Sequence, residues 1–517
     1  MGQRGIFRGS RRVLPVGGAV LLLALTALSV GPSGTAQAQL GPKAPGISRT
    51  ASKRMVRSEV GPADGLGQAP GSYADGLLYP AASDRFGVAV NRGLGPAETY
   101  DVAQIRSGWY VDWGTQLAPV YPAGMDYFQM VTTSGDTFTP DEATLAAIAA
   151  ANPGMSWIIG NEPDCIWQGN STPDQYARVY HRLYTFLKAH DPSCRVAIGG
   201  IVQATPLRLQ WLDAVLSAYQ AKYGGPLPAD FYNIHAFILR EERSAWGCDV
   251  PPGLAVSHGE LWQVEDHDRM DLFVAQIVRF RQWMRDHGER SKELIVSEYG
   301  ILMPDDLGFD EGRVQAFMRS TFDYFLTATS PEVGCPTDGN RLVQRWAWYS
   351  LNDKRFEGHT THSHLFDPTT KQITGLGQGY AAYAAPLYSP YVDLEPVALT
   401  FSSSAPMSAG SQPVTITIAG VMQNAGNVDA HDVAVQFWTG DPSQRLGEEQ
   451  IIPLLAARSR QCVTLQWAEV SSGSYLVGVT VDGAGHIAEA NEANNEDVRQ
   501  LLVPRHVLLV PMLAQHR

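Results

Sequence analysis

Two glutamates each close a short run of strand-forming residues, Glu162 in "WIIGNEPD" (157–164) and Glu298 in "KELIVSEYGIL" (292–302). A carboxylate at a strand's end is held on rigid backbone, and two that face each other can protonate a leaving oxygen and attack an acetal carbon. Retaining glycosidases hold such a pair about 5–5.5 Å apart. Trp157 and its neighbours partly desolvate Glu162, which suits it to act as a general acid, and Asn161 beside it can donate its amide to a substrate hydroxyl. A single glutamate after an apolar run also occurs as a helix-start acid or a loop carboxylate. The pair is what argues for catalysis.

Further candidates stand at other strand ends: His235 in "FYNIHAF", Trp109 and Trp113 in "WYVDWG", and Trp346 and Trp348 in "RWAWYSLND". Aromatic faces pack against the C–H groups of sugar rings, while His and Asn bond their hydroxyls. Trp348, nearer the end of its strand, is the better platform of its pair. Each tryptophan also fits a core position, and His235 fits a structural one. Tyr299, next to Glu298, either holds that carboxylate or packs outward.

Eight strand candidates would position these groups: Phe86–Val90, Trp109–Trp113, Tyr127–Val131, Ser156–Gly160, Arg195–Ile201, Phe231–His235, Leu294–Ser297 and Gln344–Tyr349. Helical stretches alternate with them, several opened by cap signals such as Thr139-Pro140-Asp141-Glu142 and Thr172-Pro173-Asp174. A continuous amphipathic helix is expected over Val264–His287, with Leu272, Phe273, Ile277, Phe280 and Trp283 on its core face. The pattern points to an α/β fold, a (β/α)8 TIM barrel over 84–388, whose catalytic groups would sit at the C-terminal strand ends. An open doubly wound sheet is the alternative, but no glycine-rich phosphate loop follows an early strand. After Tyr391 short alternating runs replace this pattern, so an all-β sandwich is expected over 393–503.

The chain has 517 residues, 44% of them hydrophobic, and a net charge of -13. That charge argues against a nucleic-acid partner. Arg4, Arg8, Arg11 and Arg12 precede an apolar run from Ala19 to Val30 and the small residues Ala36-Gln37-Ala38, the layout of a signal peptide spanning 1–38. A single membrane anchor is the other reading, though the run is short for a bilayer. The mature chain has no other candidate span, so a secreted or cell-surface protein is expected. Residues 39–83 read as a Gly/Pro-rich linker and 504–517 as a tail. The five cysteines show no metal-ligand spacing, so neither a metal nor a cofactor is expected. Glu489, Glu492 and Glu496 have the composition of a calcium site, but read first as a solvated acidic turn.

The motifs around Asn161-Glu162-Pro163-Asp164 and Glu298, with "SGWYVDWG", "FYNIHAF" and "RWAWYS", resemble clan A glycoside hydrolases, and most of all the glycosyl hydrolase catalytic core family that includes endo-β-1,3-glucanases. The resemblance covers about 84–385. It implies a retaining double displacement on a polysaccharide, a β-glucan above all, with Glu298 as nucleophile, Glu162 as acid/base and Asn161 on the 2-hydroxyl. Asp112 departs from the asparagine common there, and the loop over 239–266 is long. That loop would share a barrel face with the one after Glu162, which suggests a Cys165–Cys248 disulfide. Residues 393–503 resemble the CARDB module of exported prokaryotic proteins, through "NAGNVDAHDVAVQFW", "GSYLVGVTVD" and "IAEANEANNED". That likeness implies cell-surface or cell-wall association. A surface glycan-binding or adhesion protein with an inactive barrel is the alternative.

Overall fold

The computed structural model describes residues 78–354, 359–403, 413–440 and 443–503. The expected signal peptide, most of the linker and the tail lie outside these residues.

All eight expected strands form, with shifted ends. They are β1 (Phe86–Ala89), β2 (Trp109–Val111), β3 (Asp126–Tyr127) continued past Phe128 by β4 (Gln129–Ser134), β6 (Ser156–Asn161), β7 (Arg195–Gly200), β8 (Tyr232–His235), β9 (Leu294–Tyr299) and β10 (Arg345–Tyr349). A short β5 (Thr137–Thr139) folds back antiparallel on β4. Hydrogen bonding runs β3-β2-β1-β10-β9-β8 in one sheet and β5-β4-β6-β7 in another. Parallel bridges from Ala197 to Phe231 and from Ile201 to Ile234 link the β7 and β8 segments. Parallel strands in this order, interleaved with helices, are consistent with the barrel expected from sequence.

The helices are α1 (Glu142–Ala151), α2 (Pro173–His190), α3 (Pro206–Tyr223), α4 (Met270–Asp286), α5 (Glu311–Thr327) and α6 (Gly375–Ala384). Asp141, Thr172, Thr205, Asp310 and Thr374 cap five of them through side-chain oxygens, which satisfies donors that a helix start leaves open. The expected helix over Val264–His287 is broken. Val264–Asp266 is a single 3-10 turn, and α4 starts only at Met270. At the break lies His267, a buried imidazole fixed between the carbonyl of Ile238 and the amide of Leu302. Folded structure also begins earlier than Asp84, because Leu78 and Ala81 are buried and the Tyr79 ring lies 4.5 Å beneath the Arg345 guanidinium.

The C-terminal sandwich pairs β11 (Leu394–Ser403), β12 (Val414–Asn424) and β15 (Arg460–Val470) against β14 (Gln444–Leu455), β13 (Ala430–Thr439), β16 (Gly473–Val481) and β17 (Glu496–Val503). Alternate residues, among them Ile416, Ile418, Val433, Val435, Phe437, Val477 and Val479, fill its core. The sandwich meets the α/β domain at the N-terminal ends of its strands. There Arg458 reaches Asp84 at 2.7 Å and the Gly124 carbonyl at 3.2 Å. Gly124 has φ +74 and a Cβ there would stand 2.4 Å from the Asn427 carbonyl oxygen, so only glycine permits the contact.

Candidate active site

The C-terminal ends of β6, β8 and β9 bring Glu162, His235 and Glu298 together. One carboxyl oxygen of each glutamate and a ring nitrogen of His235 lie within 4.8 Å of one another. The glutamates are 8% and 5% exposed, and the imidazole is fully buried. His235 Nδ1 lies 2.9 Å from Glu162 Oε1, and its Nε2 lies 3.4 Å from Glu298 Oε1. Trp113 donates its indole N–H to the same Glu298 oxygen at 2.6 Å. Burial alone would lower the His235 pKa, but the charges of Glu298 and Glu162 outweigh it, and the pKa is raised above 6.5. The imidazole thus stands between the two acids, with one ring nitrogen toward each.

Backbone geometry holds this group in place. Glu162 and Trp113 have φ of +42 and +57, left-handed values that cost about 1–3 kcal/mol each in a residue with a side chain and persist only where surroundings enforce them. For Glu162 the enforcement is visible: its amide donates to the Gly200 carbonyl at 3.0 Å, and its own carbonyl accepts from the amides of Cys165 and Gly169. Gly200 has a second role. A Cβ there would fall 2.4 Å from His235 Cδ2, so the imidazole occupies space that only glycine leaves open.

Of the other candidates, Asn161 borders the group, 8% exposed, with its Oδ1 buried and lacking a hydrogen-bond partner. Such an orphaned acceptor fits a site that a hydroxyl completes. Trp109, Trp348 and Tyr299 are corrections to the sequence reading, since all three are buried away from the site. The Trp109 ring fills the space above Gly87 and its N–H bonds the Arg85 carbonyl. Trp348 and Tyr299 pack edge-on at 5.4 Å, against Phe317 of α5 and Phe273 of α4 respectively. Strand alternation is the reason: once Glu298 and Tyr349 face inward, Tyr299 and Trp348 face the helices.

The aromatic residue that sequence reasoning missed is therefore Tyr349. Its ring lies 5.7 Å from Trp113 and 6.1 Å from Phe237, and its hydroxyl bonds Asp353. The period of two in "RWAWY" carried the signal. Asp353, also held by Asn91, has its pKa pushed up to about 6 by burial, against which the Asn91 bond works. Asp112 is buried and likewise raised, although Tyr127, Arg92 and Gln116 bond or face it.

Arg208 was also missed. Completely buried at the start of α3, it reaches Asp164 at 2.6 Å, Glu241 at 2.8 Å and the carbonyls of Cys248 and Asp249. It ties the loop after Glu162 to the long loop over 239–266, the work assigned by expectation to a disulfide. Cys165 and Cys248 are instead free, buried thiols, and burial raises the pKa of each. The lone arginine in the apolar stretch "PLRLQWL" was the available sign. Among the described residues, Glu162, His235 and Glu298 are the one group whose donors are close enough to share a metal ion. The Nδ1 contact with Glu162 and the Trp113 bond to Glu298 already engage all three of those side chains.

Residues 87–246 match the family model of the glycosyl hydrolase catalytic core, and residues 392–499 match that of CARDB. Among solved structures, a GH128 subgroup II endo-β-1,3-glucanase from Pseudomonas viridiflava is 20% identical, covering 58% of this chain and 97% of its own at a TM-score of 0.39. A second from Sorangium cellulosum is 17% identical over 58% of this chain and 98% of its own, also at 0.39. A CARDB domain from Pyrococcus furiosus, solved with di-metal ions, is 18% identical over 23% of this chain and 97% of its own, at 0.19. No curated protein matches the sequence significantly.

Proposed function

We propose that this chain, glycosyl hydrolase catalytic core in its barrel domain and CARDB in its sandwich, is a secreted retaining glycoside hydrolase acting on a polysaccharide, a β-glucan. The reading takes the parallel strands as a closed barrel with its cleft at their C-terminal ends. The observation that carries it is the approach of Glu162 and Glu298 oxygens to within 4.8 Å. That spacing suits a carboxylate attacking the anomeric carbon directly and leaves no room for the water an inverting enzyme places between its acids, which separates them by about 6.5–9.5 Å.

In the first step Glu298 attacks the anomeric carbon while the bond to the leaving oxygen breaks and Glu162 supplies that oxygen's proton. A glycosyl ester on Glu298 results. Glu162, now a carboxylate, takes a proton from water, whose oxygen displaces Glu298 and restores the original anomeric configuration. Trp113 fixes the orientation of Glu298, and His235 stands between the two acids. Asn161 bonds the 2-hydroxyl as charge develops on the sugar. Trp113, only partly buried, offers a ring face against which a pyranose packs, and Tyr349 packs behind it.

The test is a chain lacking residues 1–38 assayed on β-1,3-, β-1,4- and mixed-linkage glucans, xylan and mannan. Hydrolysis of one of the glucans with retention, seen by NMR of the first product, is expected. Glu298→Gln is expected to lower turnover by at least about 10³-fold with an unchanged melting temperature. An inverted product would sink the covalent step, and a variant with near-normal turnover would sink the nucleophile. Silence on every glycan would move the protein to surface adhesion with an inactive barrel.

A further inference from the structure

Glu298 faces the cleft against the rhythm of its own strand. Tyr232 packs on Phe280 and Trp283 of α4, and Trp346 stacks on Phe325 of α5 at 4.9 Å, so Tyr232 and Ile234 of β8 and Trp346 and Trp348 of β10 form the rows that face the helices. Val296 pairs with Ile234 and with Trp346, which sets it on the helix side as well. Side chains two apart in a regular strand share a face. Glu298, two residues on, should therefore point at the helices, yet its carboxylate meets Glu162 and His235.

One extra residue resolves the conflict. Ser297 has no register partner in β8 or in β10: Ile234 and His235 stand opposite Val296 and Glu298, and Trp346 and Trp348 opposite Val296 and Tyr299. This is a β-bulge, which resets the alternation and re-aims the side chain that follows. The Ser297 amide, set off from both ladders, donates to Oδ1 of Asn233 at 3.2 Å. Asn233 is fully buried, two residues before His235 and on the same side of β8. With its oxygen on Ser297, its Nδ2 turns toward the imidazole: a Cβ on Gly200 would stand 3.1 Å from that nitrogen and 2.6 Å from His235 Nε2.

We propose that Asn233 is a positioning residue for the nucleophile: it holds the bulge at Ser297 that turns Glu298 from the helices into the cleft. A buried N–H costs free energy unless an acceptor meets it, and the off-register amide of Ser297 finds that acceptor in the Asn233 side chain. An apolar side chain at 233 would leave the amide without it. The ladder then regains a bond by closing over Ser297, and a shift of one residue carries Glu298 to the other face. Asn233 touches neither the sugar nor the reacting bond. The proposal deepens the reading above, since it takes Glu298 as the group that must face the sugar.

The experiment reads the position of Glu298 apart from its chemistry. The Trp113 indole N–H, which donates to Glu298 Oε1 at 2.6 Å, is followed by NMR in the isotope-labelled chain, with Glu298→Ala marking where its resonance lies once that bond is lost. Asn233→Ala is expected to move the resonance toward the Glu298→Ala position. Its kcat per folded molecule on a soluble glucan oligosaccharide should fall about 10²-fold, with KM held within about twofold. Asn233→Ser, which also withdraws the amide oxygen but leaves a polar group in the pocket, serves in its place if the alanine variant does not fold. Asn233→Asp keeps an acceptor for Ser297 and is expected to keep the native resonance. A native resonance in Asn233→Ala or Asn233→Ser overturns the proposal, whatever the melting temperature. So does an aspartate variant whose resonance moves as far as the alanine one, or a moved resonance with normal kcat. A chain that cleaves nothing, but whose resonance follows Asn233 in this way, keeps the bulge assignment and sinks the hydrolase.

Discussion

At the two ends of the α/β domain most carboxylates meet different partners, although Arg208 also pairs Asp164 and Glu241 beyond the strands' C-terminal ends. At the base, where strands begin, guanidinium groups meet them: Arg85 with Asp338 at 2.6 Å, Arg345 with Asp126 at 3.1 Å, Arg458 with Asp84 at 2.7 Å, and Arg195 with Glu293. Burial alone would raise the Glu293 pKa, but Arg195 and Arg345 hold it below the usual range. At the mouth, an indole and an imidazole reach Glu298, the same imidazole reaches Glu162, and a phenol and an amide reach Asp353. There burial wins and Asp353 rises to about 6. Guanidinium pairing predominates at the base, while an indole, an imidazole, a phenol and an amide hold Glu162, Glu298 and Asp353.

The largest break in this contrast is expected from Arg458→Ala. It leaves the buried Asp84 carboxylate without its guanidinium partner and removes one contact between the α/β domain and the sandwich, which should cost about 3–5 kcal/mol of unfolding free energy in a denaturant titration. The rate per folded molecule on a soluble oligosaccharide should hold, because the mouth is untouched. Gly200→Ala should do the reverse. The added methyl displaces His235 from between the glutamates, so kcat is expected to drop about 10²-fold, within the range of a misplaced acid or base, and the upper limb of its pH profile to shift. A normal kcat in that variant would deny His235 its place between the acids.

The smallest expected effect concerns the sign of pH dependence. Asp353 titrates near 6 folded and about 3.9 unfolded, so its stabilising share is complete below the unfolded value and is lost as pH rises through about 6. Glu293 is lowered, so its share is present at neutral pH and lost as pH falls through its folded value. Asp353→Asn, which keeps an acceptor for Tyr349, should therefore gain about 2 kcal/mol at pH 7 and nothing at pH 4. Glu293→Gln should lose stability at pH 7, with the loss narrowing in acid. Parallel curves for the two variants would erase the distinction between the ends.

How far the sequence could be read follows from what each signal depends on. The eight strands, the helix caps, the change to an all-β pattern after Tyr391 and the pair Glu162/Glu298 were legible because each is local: a run, a cap residue, a carboxylate at a run's end. Trp109, Trp348 and Tyr299 were misplaced because hydrophobicity marks a residue as buried without saying on which side of the wall. The supposed Cys165–Cys248 bridge gave way to Arg208, whose partners come from three separate stretches of chain.

By itself, then, the sequence determined the order of elements and which side chains stand at strand ends, since backbone periodicity and capping need only near neighbours. Tertiary structure alone decided that an imidazole lies between two acids, that Gly200 makes room for it, and that Arg208 joins the loop after Glu162 to the one over 239–266. Those facts depend on distances between residues far apart along the chain, and only packing sets such distances.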